Sequence, residues 1–459
     1  MKINIIFFLI ALPLQLLFAQ TGLKDVYSSK FKFGSILNGT TANSDAMKQI
    51  VLREFNSITP ENELKPDATI VASGSTDTNV KVQLNNGAKA ILKFCQDNNI
   101  PVRGHTLVWH SQTPDWFFKT GFTSSGAVVS KAVMKQRMES YIKNMFALIK
   151  KEFPTLNLYA YDVVNEAASE SGGPREAGTG DGKSMWVQVY GDNSFIEEAF
   201  TFARLYAPET TKLFYNDYNE YIQAKRDYIA GSIVKPLKEK GLIDGMGMQS
   251  HLDVRTGNDA YPSATLYGQA ITIYKNLGVE IHVSELDATI NDGNDSYLPA
   301  QATYYKNIMT EILNKGGSAV TAVVVWGIQD GQSWRKPRKP LLFDDSGNKK
   351  TAYDELVKLI PQSEWGKPGS SSSSAAISSS SSSLVSSSSI AVSSSSSSDT
   401  APSSSSTDAT PIANHLPLAT SHSPTYYSLK GEPLGNAKPQ KAGVYIVKQG
   451  SSTKKIVVR

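Results

Sequence analysis

Between about residues 22 and 366, short apolar, β-branched runs alternate with longer stretches in which apolar positions recur every three or four residues. The short runs are 31–36, 57–59, 102–107, 160–164, 212–215, 245–249, 280–284 and 322–326, and the longer ones include 133–150, 194–206 and 304–314. Short apolar runs read as buried strands, and the 3.6-residue period reads as helices with one apolar face. The strands are too far apart for hairpins, so each must reach the next through a crossover helix, which sets neighbouring strands parallel. Eight such units predict an α/β fold of the (β/α)₈ TIM-barrel class, occupying residues 22–366. A doubly wound open sheet is the rival, but Gly34-Ser-Ile-Leu-Asn-Gly39 after the first strand does not fit a dinucleotide-binding turn.

The flanks break this pattern. Met1-Lys2 precedes an apolar stretch interrupted only by Asn4, Pro13 and Gln15, and Ala19-Gln20 follows. A basic start, an apolar middle and a small residue before a polar one predict a signal peptide over 1–19, in preference to a retained membrane anchor. No later segment has the roughly 18 apolar residues of a spanning helix, so no integral membrane segment is expected once the signal is removed. From Ser370 to Ser406, 25 of 37 residues are Ser. That composition cannot bury enough surface to offset the entropy of ordering its backbone, which predicts a disordered Ser-rich linker over 367–412. Residues 413–459 read as a small β-rich C-terminal module, with Gly443-Val-Tyr-Ile-Val-Lys448 and Lys454-Lys455-Ile-Val-Val-Arg459 forming a hairpin.

Composition narrows the chemistry. The chain of 459 residues has one cysteine, Cys95, which excludes an intramolecular disulfide and any Cys-built zinc or iron–sulfur centre. Ala88, Ile91 and Cys95 share a helical face, so the thiol reads as a buried small hydrophobe. The net charge of +4 hints at an anionic partner, yet residues 430–459 carry seven Lys or Arg against Glu432 alone. That segment holds +6 and the remainder −2, so no nucleic-acid partner is expected of the body.

Polar residues gather just after almost every strand, the end at which barrel enzymes carry their active sites. Two carboxylates stand out: Glu166 after the fourth strand and Glu285 after the seventh, which a closed barrel brings over one mouth. Paired Glu residues flanking a cleft are the minimum for cleaving a glycosidic bond, one protonated to assist the leaving oxygen and one ionised to attack the anomeric carbon. His251 and Asp287 are expected beside Glu285, to orient it and keep it ionised. Asn165 is placed to bond a sugar 2-hydroxyl. Trp109, Trp326 and Trp334 offer flat faces for stacking on pyranose rings, though Trp is equally an ordinary core residue.

Thr59-Pro-Glu-Asn-Glu-Leu-Lys65, Arg103-Gly-His-Thr-Leu-Val-Trp-His-Ser-Gln112, Asp162-Val-Val-Asn-Glu-Ala167, Asn216-Asp-Tyr-Asn219, Gln249-Ser-His251, Ser284-Glu-Leu-Asp287 and Trp326-Gly327 occur in this order. Together they resemble glycoside hydrolase family 10, retaining endo-β-1,4-xylanases on a (β/α)₈ barrel, from about Leu23 to Leu359. The resemblance makes Glu166 the acid/base and Glu285 the nucleophile, with their carboxyls about 5–5.5 Å apart as retention requires. It implies that Glu61, Asn62 and Lys65 bind the distal xylose. His105, Trp109, Gln112 and Asn165 would surround the sugar being cleaved, with Trp326 and Trp334 completing that pocket. Tyr218 would also touch substrate, and Gln249, His251 and Asp287 would set up the nucleophile. Xylan and xylo-oligosaccharides are the implied partners, and no metal or organic cofactor is needed.

Other polar residues read as structural. His282 is three residues before Glu285, so strand alternation points it towards the helix layer. His110 is expected to bond backbone near the exit of the third strand. The glycine-rich stretch Ser171–Gly182 lacks a Gly-Lys-Ser/Thr and reads as a flexible loop beside the cleft, not a phosphate cradle. Glu197-Glu198 and Lys349-Lys350 read as solvated faces. Two alternatives stay open at this stage: a related barrel glycosidase acting on β-1,4-glucan or β-mannan, and an inactive barrel that only binds glycan. The tail resembles C-terminal sorting modules of Gram-negative, polysaccharide-degrading bacteria, with a basic adhesion module as its rival. The expectation is therefore a protein secreted, or exported to the cell surface through such a sorting system.

Overall fold

The computed structural model describes residues 21–255 and 260–366 and, in the tail, 425–427, 433–435, 439–440, 443–449 and 452–458. The expected signal peptide (1–19) and Ser-rich linker (367–412) lie outside the described residues. Eight strands form the central ring of the body: β1 Lys32–Leu37, β2 Ile58–Pro60, β3 Val102–Gly104, β4 Leu158–Asn165, β5 Lys212–Asp217, β6 Gly245–Met248, β7 Glu280–Ile290 and β8 Val320–Val325. Each pairs in parallel with the next, and β8 pairs with β1. The ring is closed, which gives the (β/α)₈ barrel and excludes an open sheet with two free edges.

The helices between strands start where short polar side chains can cap them. Ser44, Asn85, Ser130 and Ser263 each accept a first-turn N–H, opening helices Asp45–Glu54, Asn86–Asp97, Lys131–Glu152 and Ala264–Asn276. Helix Ser194–Tyr206 has the expected bounds, and the expected 304–314 forms the end of Leu298–Glu311 and the π-turn Ile312–Gly316 that follows it. Each helix buries one apolar stripe. On Asn86–Asp97 that stripe is Ala88, Ile91, Leu92 and Cys95, so the lone thiol is a core group whose pKa burial pushes up. The antiparallel hairpin Ile70–Thr76 and Asn79–Val82 was not legible, because only Ile70 of its first strand is buried and the strand carries no apolar alternation.

Two strands differ from expectation in ways that matter for the site. β3 stops at Gly104, so His105 leaves the ladder and Val108–Trp109 pairs separately with β4. β7 runs on to Ile290, because its second half pairs with the extension His251–Val254. Between Val283 and Leu286, β7 spends three steps where β8 spends two, from Val323 to Val325. This bulge switches the face that side chains take. It corrects the reading of His282, which points into the barrel, stacks on Phe214 at 4.0 Å between ring centroids and bonds Arg103 Nη1. Gly245 and Gly247 make room there: a Cβ would lie 2.0 Å from the Phe214 ring at the first and 2.2 Å from Asn216 Oδ1 at the second.

The barrel is fastened at its base. Tyr27 donates to the Leu356 carbonyl (2.7 Å), Gly366 N–H to the Asp25 carbonyl (2.8 Å), and Lys30 pairs with Glu364 (2.8 Å). The buried Glu54 Oε2 accepts from both Leu23 N–H (3.1 Å) and Tyr353 (2.7 Å). The tail, a separate unit, has four short antiparallel strands, among them Gly443–Gln449 paired with Ser452–Val458. No helix among the described residues is long and apolar enough to cross a membrane.

Candidate active site

Glu285 rises from β7 into the mouth, 4% exposed. Its Oε1 accepts from Asn216 Nδ2 (2.7 Å) and its Oε2 meets His251 Nε2 (3.2 Å). His251 Nδ1 lies 3.0 Å from Asp287 Oδ2, and Asp287 Oδ1 accepts from Arg335 Nη1 at 2.6 Å. Charges therefore alternate along one line: guanidinium, carboxylate, imidazole, carboxylate. Burial opposes charge on His251, but Asp287 and Glu285 outweigh it and raise its pKa to about 10. Burial likewise disfavours ionised Glu285, yet the His251 bond, the charge of His105 and the Asn216 bond hold its pKa at about 2.

Glu166, at the end of β4, is in the opposite condition. Its pKa is raised, first by burial and then by the negative charge of Asp217, against hydrogen bonds from Gln249 and Trp109. Trp109 Nε1 donates to Oε2 (2.8 Å) and Gln249 Nε2 to Oε1 (2.9 Å). Gln249 also donates to Asn165 Oδ1 (3.2 Å), which accepts from Asn216 Nδ2 as well (2.9 Å). An amide chain thus links the two carboxylates.

The remaining expected residues line the same mouth. Lys65 Nζ donates to Asn62 Oδ1 and Gln112 Oε1, both at 2.9 Å, and sits 5.0 Å from the centre of the Trp109 ring. Its pKa is drawn down by burial, against Glu285, Glu61 and Glu166. Glu61 accepts from Asn38 at 2.8 Å. His105 bonds Asp162 (3.0 Å), which also pairs with Arg103, and its ring meets Trp326 edge-on at 5.5 Å. Trp334 lies edge-on to His251 at 5.1 Å but is 61% exposed, so its free face is open to solvent. Tyr218 stands beyond Glu166, beneath Lys225 at 3.6 Å. His110, expected to bond backbone, has its Nδ1 buried without a hydrogen-bond partner, and burial followed by Arg175 and Lys225 lowers its pKa to about 3. Three supporting residues were missed. Asn216 stood in a quoted motif without a role, while Arg335 and Asn38 act on partners 48 and 23 positions away, which no local pattern reveals. Among the described residues, no cluster of three His, Cys, Asp or Glu could hold a metal ion.

The mouth pushes the pKa values of its two carboxyls in opposite directions beside flat aromatic faces, which is the arrangement that glycoside cleavage calls for. The description "Glycosyl hydrolase family 10" matches residues 22–359. Endo-1,4-β-xylanase Y of Acetivibrio thermocellus is 52% identical over 360 residues, 76% of this chain and 33% of its own length. The bifunctional endo-1,4-β-xylanase XylA of Ruminococcus flavefaciens is 43% identical over 346 residues, 74% of this chain and 34% of its own. The chain thus spans about a third of the length of these curated relatives. Among solved structures, the N-terminal CBM22-1 and GH10 modules of Clostridium thermocellum endo-1,4-β-D-xylanase 10B, complexed with xylohexaose, are 51% identical with a TM-score of 0.72. That match covers 76% of this chain and 70% of the other. An intracellular xylanase of Thermoanaerobacterium saccharolyticum, in a variant complexed with xylotriose, is 32% identical with a TM-score of 0.64, covering 73% and 98%. With the closed barrel, the two unlike carboxylates and a match across 22–359, this chain belongs to glycoside hydrolase family 10.

Proposed function

We propose that the protein is an endo-1,4-β-xylanase that cleaves internal β-1,4-xylosidic bonds of xylan with retention of configuration. One observation carries this reading: the surroundings push the two carboxylates at the mouth in opposite directions, holding the pKa of Glu285 down at about 2 and raising that of Glu166 above its ordinary value. Glu285 attacks the anomeric carbon while Glu166 gives its proton to the departing oxygen. Water then cleaves the glycosyl-enzyme, with Glu166 acting as base. Asn165 Nδ2 serves the 2-hydroxyl, and Glu61, Asn62 and Lys65 bind the next sugar on the non-reducing side. His105, Trp109, Gln112, Trp326 and Trp334 enclose the cleaved sugar, and Tyr218 contacts the leaving side. The reaction uses these side chains alone, without a metal or organic cofactor. Xylohexaose and xylotriose bound in the related structures support xylose over glucose or mannose.

Glu285→Gln should abolish release of reducing sugar from xylan, with a loss of at least about 10³-fold and unchanged circular dichroism. Near-normal cleavage by that variant would overturn the assignment. For the tail, export or cell-surface sorting in a Gram-negative bacterium is the favoured role. The reading rests on its sequence resemblance to sorting modules and on the predicted signal peptide before the barrel.

A further inference from the structure

The loop after β4 delivers a buried cation to the backbone of Glu166. Arg175 lies within the glycine-rich stretch Ser171–Gly182, yet it is only 6% exposed. Its Nε donates to the Glu166 carbonyl, Nη1 to the Gly182 carbonyl (3.3 Å) and Nη2 to the Tyr218 hydroxyl (3.3 Å). One guanidinium thus fastens the peptide group that follows Glu166.

That peptide group needs fastening. Glu166 has φ of 54°, the left-handed region, which is strained for a residue with a Cβ and persists only where its surroundings impose it. Its N–H is held by the Asn216 carbonyl at 2.8 Å, so Arg175 secures the opposite side of the residue. The carboxyl itself is met by two side chains reaching in from the ends of other strands, Trp109 and Gln249. The direction in which it leaves the strand therefore depends on the backbone. A guanidinium suits this task because its rigid plane holds donors on three separate nitrogens towards three separated acceptors, whereas an ammonium offers its donors from a single atom on a flexible stem.

We propose that Arg175 is a positioning residue for the general-acid step, locking the strained backbone of Glu166 so that its carboxyl faces the departing glycosidic oxygen. The inference rests on the assignment of Glu166 as the acid. Protonation matters in proportion to how poor the leaving group is, and that gives a readout which ordinary loss of packing does not move. On phenyl β-xylobioside, Arg175→Ala should lower kcat/KM by about 30-fold, part of the 10²–10⁴ that general acid catalysis supplies. On 2,4-dinitrophenyl β-xylobioside, which departs unaided, the loss should stay below about threefold. Arg175→Lys keeps the charge but loses the rigid planar fork, so it should show the same selective loss at about tenfold or less. Displacement of Tyr218 alone would penalise both aglycones alike. Equal losses on the two substrates, or no loss on either, overturn the proposal, and the Lys variant decides the matter if the Ala chain does not fold. Wild-type enzyme that releases neither phenol would instead overturn the xylanase reading.

Discussion

Glu220 lies beneath the segment that carries Gln249 and His251, fully buried, with Ser250 donating to Oε1 (3.1 Å) and Oε2 without a partner. Burial, far more than the nearby Asp217, raises its pKa from the ordinary 4.5 to about 8. Because the folded value exceeds the unfolded one, the stability it contributes is complete below about pH 4.5 and is lost as pH rises through 8. Differential scanning calorimetry from pH 5 to 8.5 should therefore show Tm falling more steeply in the wild type than in Glu220→Gln. Parallel curves would remove Glu220 as the source. Residues of this kind explain how far the site was legible in the sequence. Glu166, Glu285, His251 and the tryptophans could be read because chemistry-bearing types stand at strand ends. Glu220 could not, since its burial depends on Ser250 and on the Tyr267 and Tyr274 hydroxyls, all distant in sequence.

Among the strands, β7 departs furthest from its expected form. Its bulge places His282 and Glu285 on the same inner face, and its extension sets Asp287 opposite His251. Simple alternation fails wherever a strand gains a residue, and nothing in Val-Ser-Glu-Leu announces the gain. Arg335, from the loop after β8, then binds the paired extensions together through Asp287 and Asp253, each at 2.6 Å, and the Leu252 carbonyl at 3.1 Å. Arg335→Ala would leave buried Asp287 with one cation in place of two. A loss of about 3 kcal/mol in urea denaturation is expected, as for other broken buried pairs. The acid limb of kcat/KM should move to higher pH, because removing a positive charge favours the proton on Glu285. A limb that stays in place would show that the clamp does not reach the nucleophile.

At the scale of the whole chain, charge is divided unevenly: the last thirty residues carry +6 and the rest −2. A nearly neutral barrel suits a neutral sugar polymer, while a basic appendage suits an anionic surface. Ending the chain after Trp365 should leave kcat/KM on soluble xylo-oligosaccharides within about twofold. It should also abolish any adsorption to anionic polysaccharide that 0.5 M salt weakens, since exposed charges are screened over a few ångströms at that strength. Adsorption that persists in the shortened chain would locate it in the barrel. The barrel itself was legible because eight strand-like runs with crossovers between them admit few closed arrangements; its bulges and its hairpin, lacking any apolar period, were not. The clasp at the base has a topological consequence. With Asp25 and Gly366 hydrogen-bonded to each other, the backbone of the body is almost a circle. A short peptide joining the two points, with a new break opened in a loop on the base side, would give a circular permutant that keeps both the strand ring and its mouth.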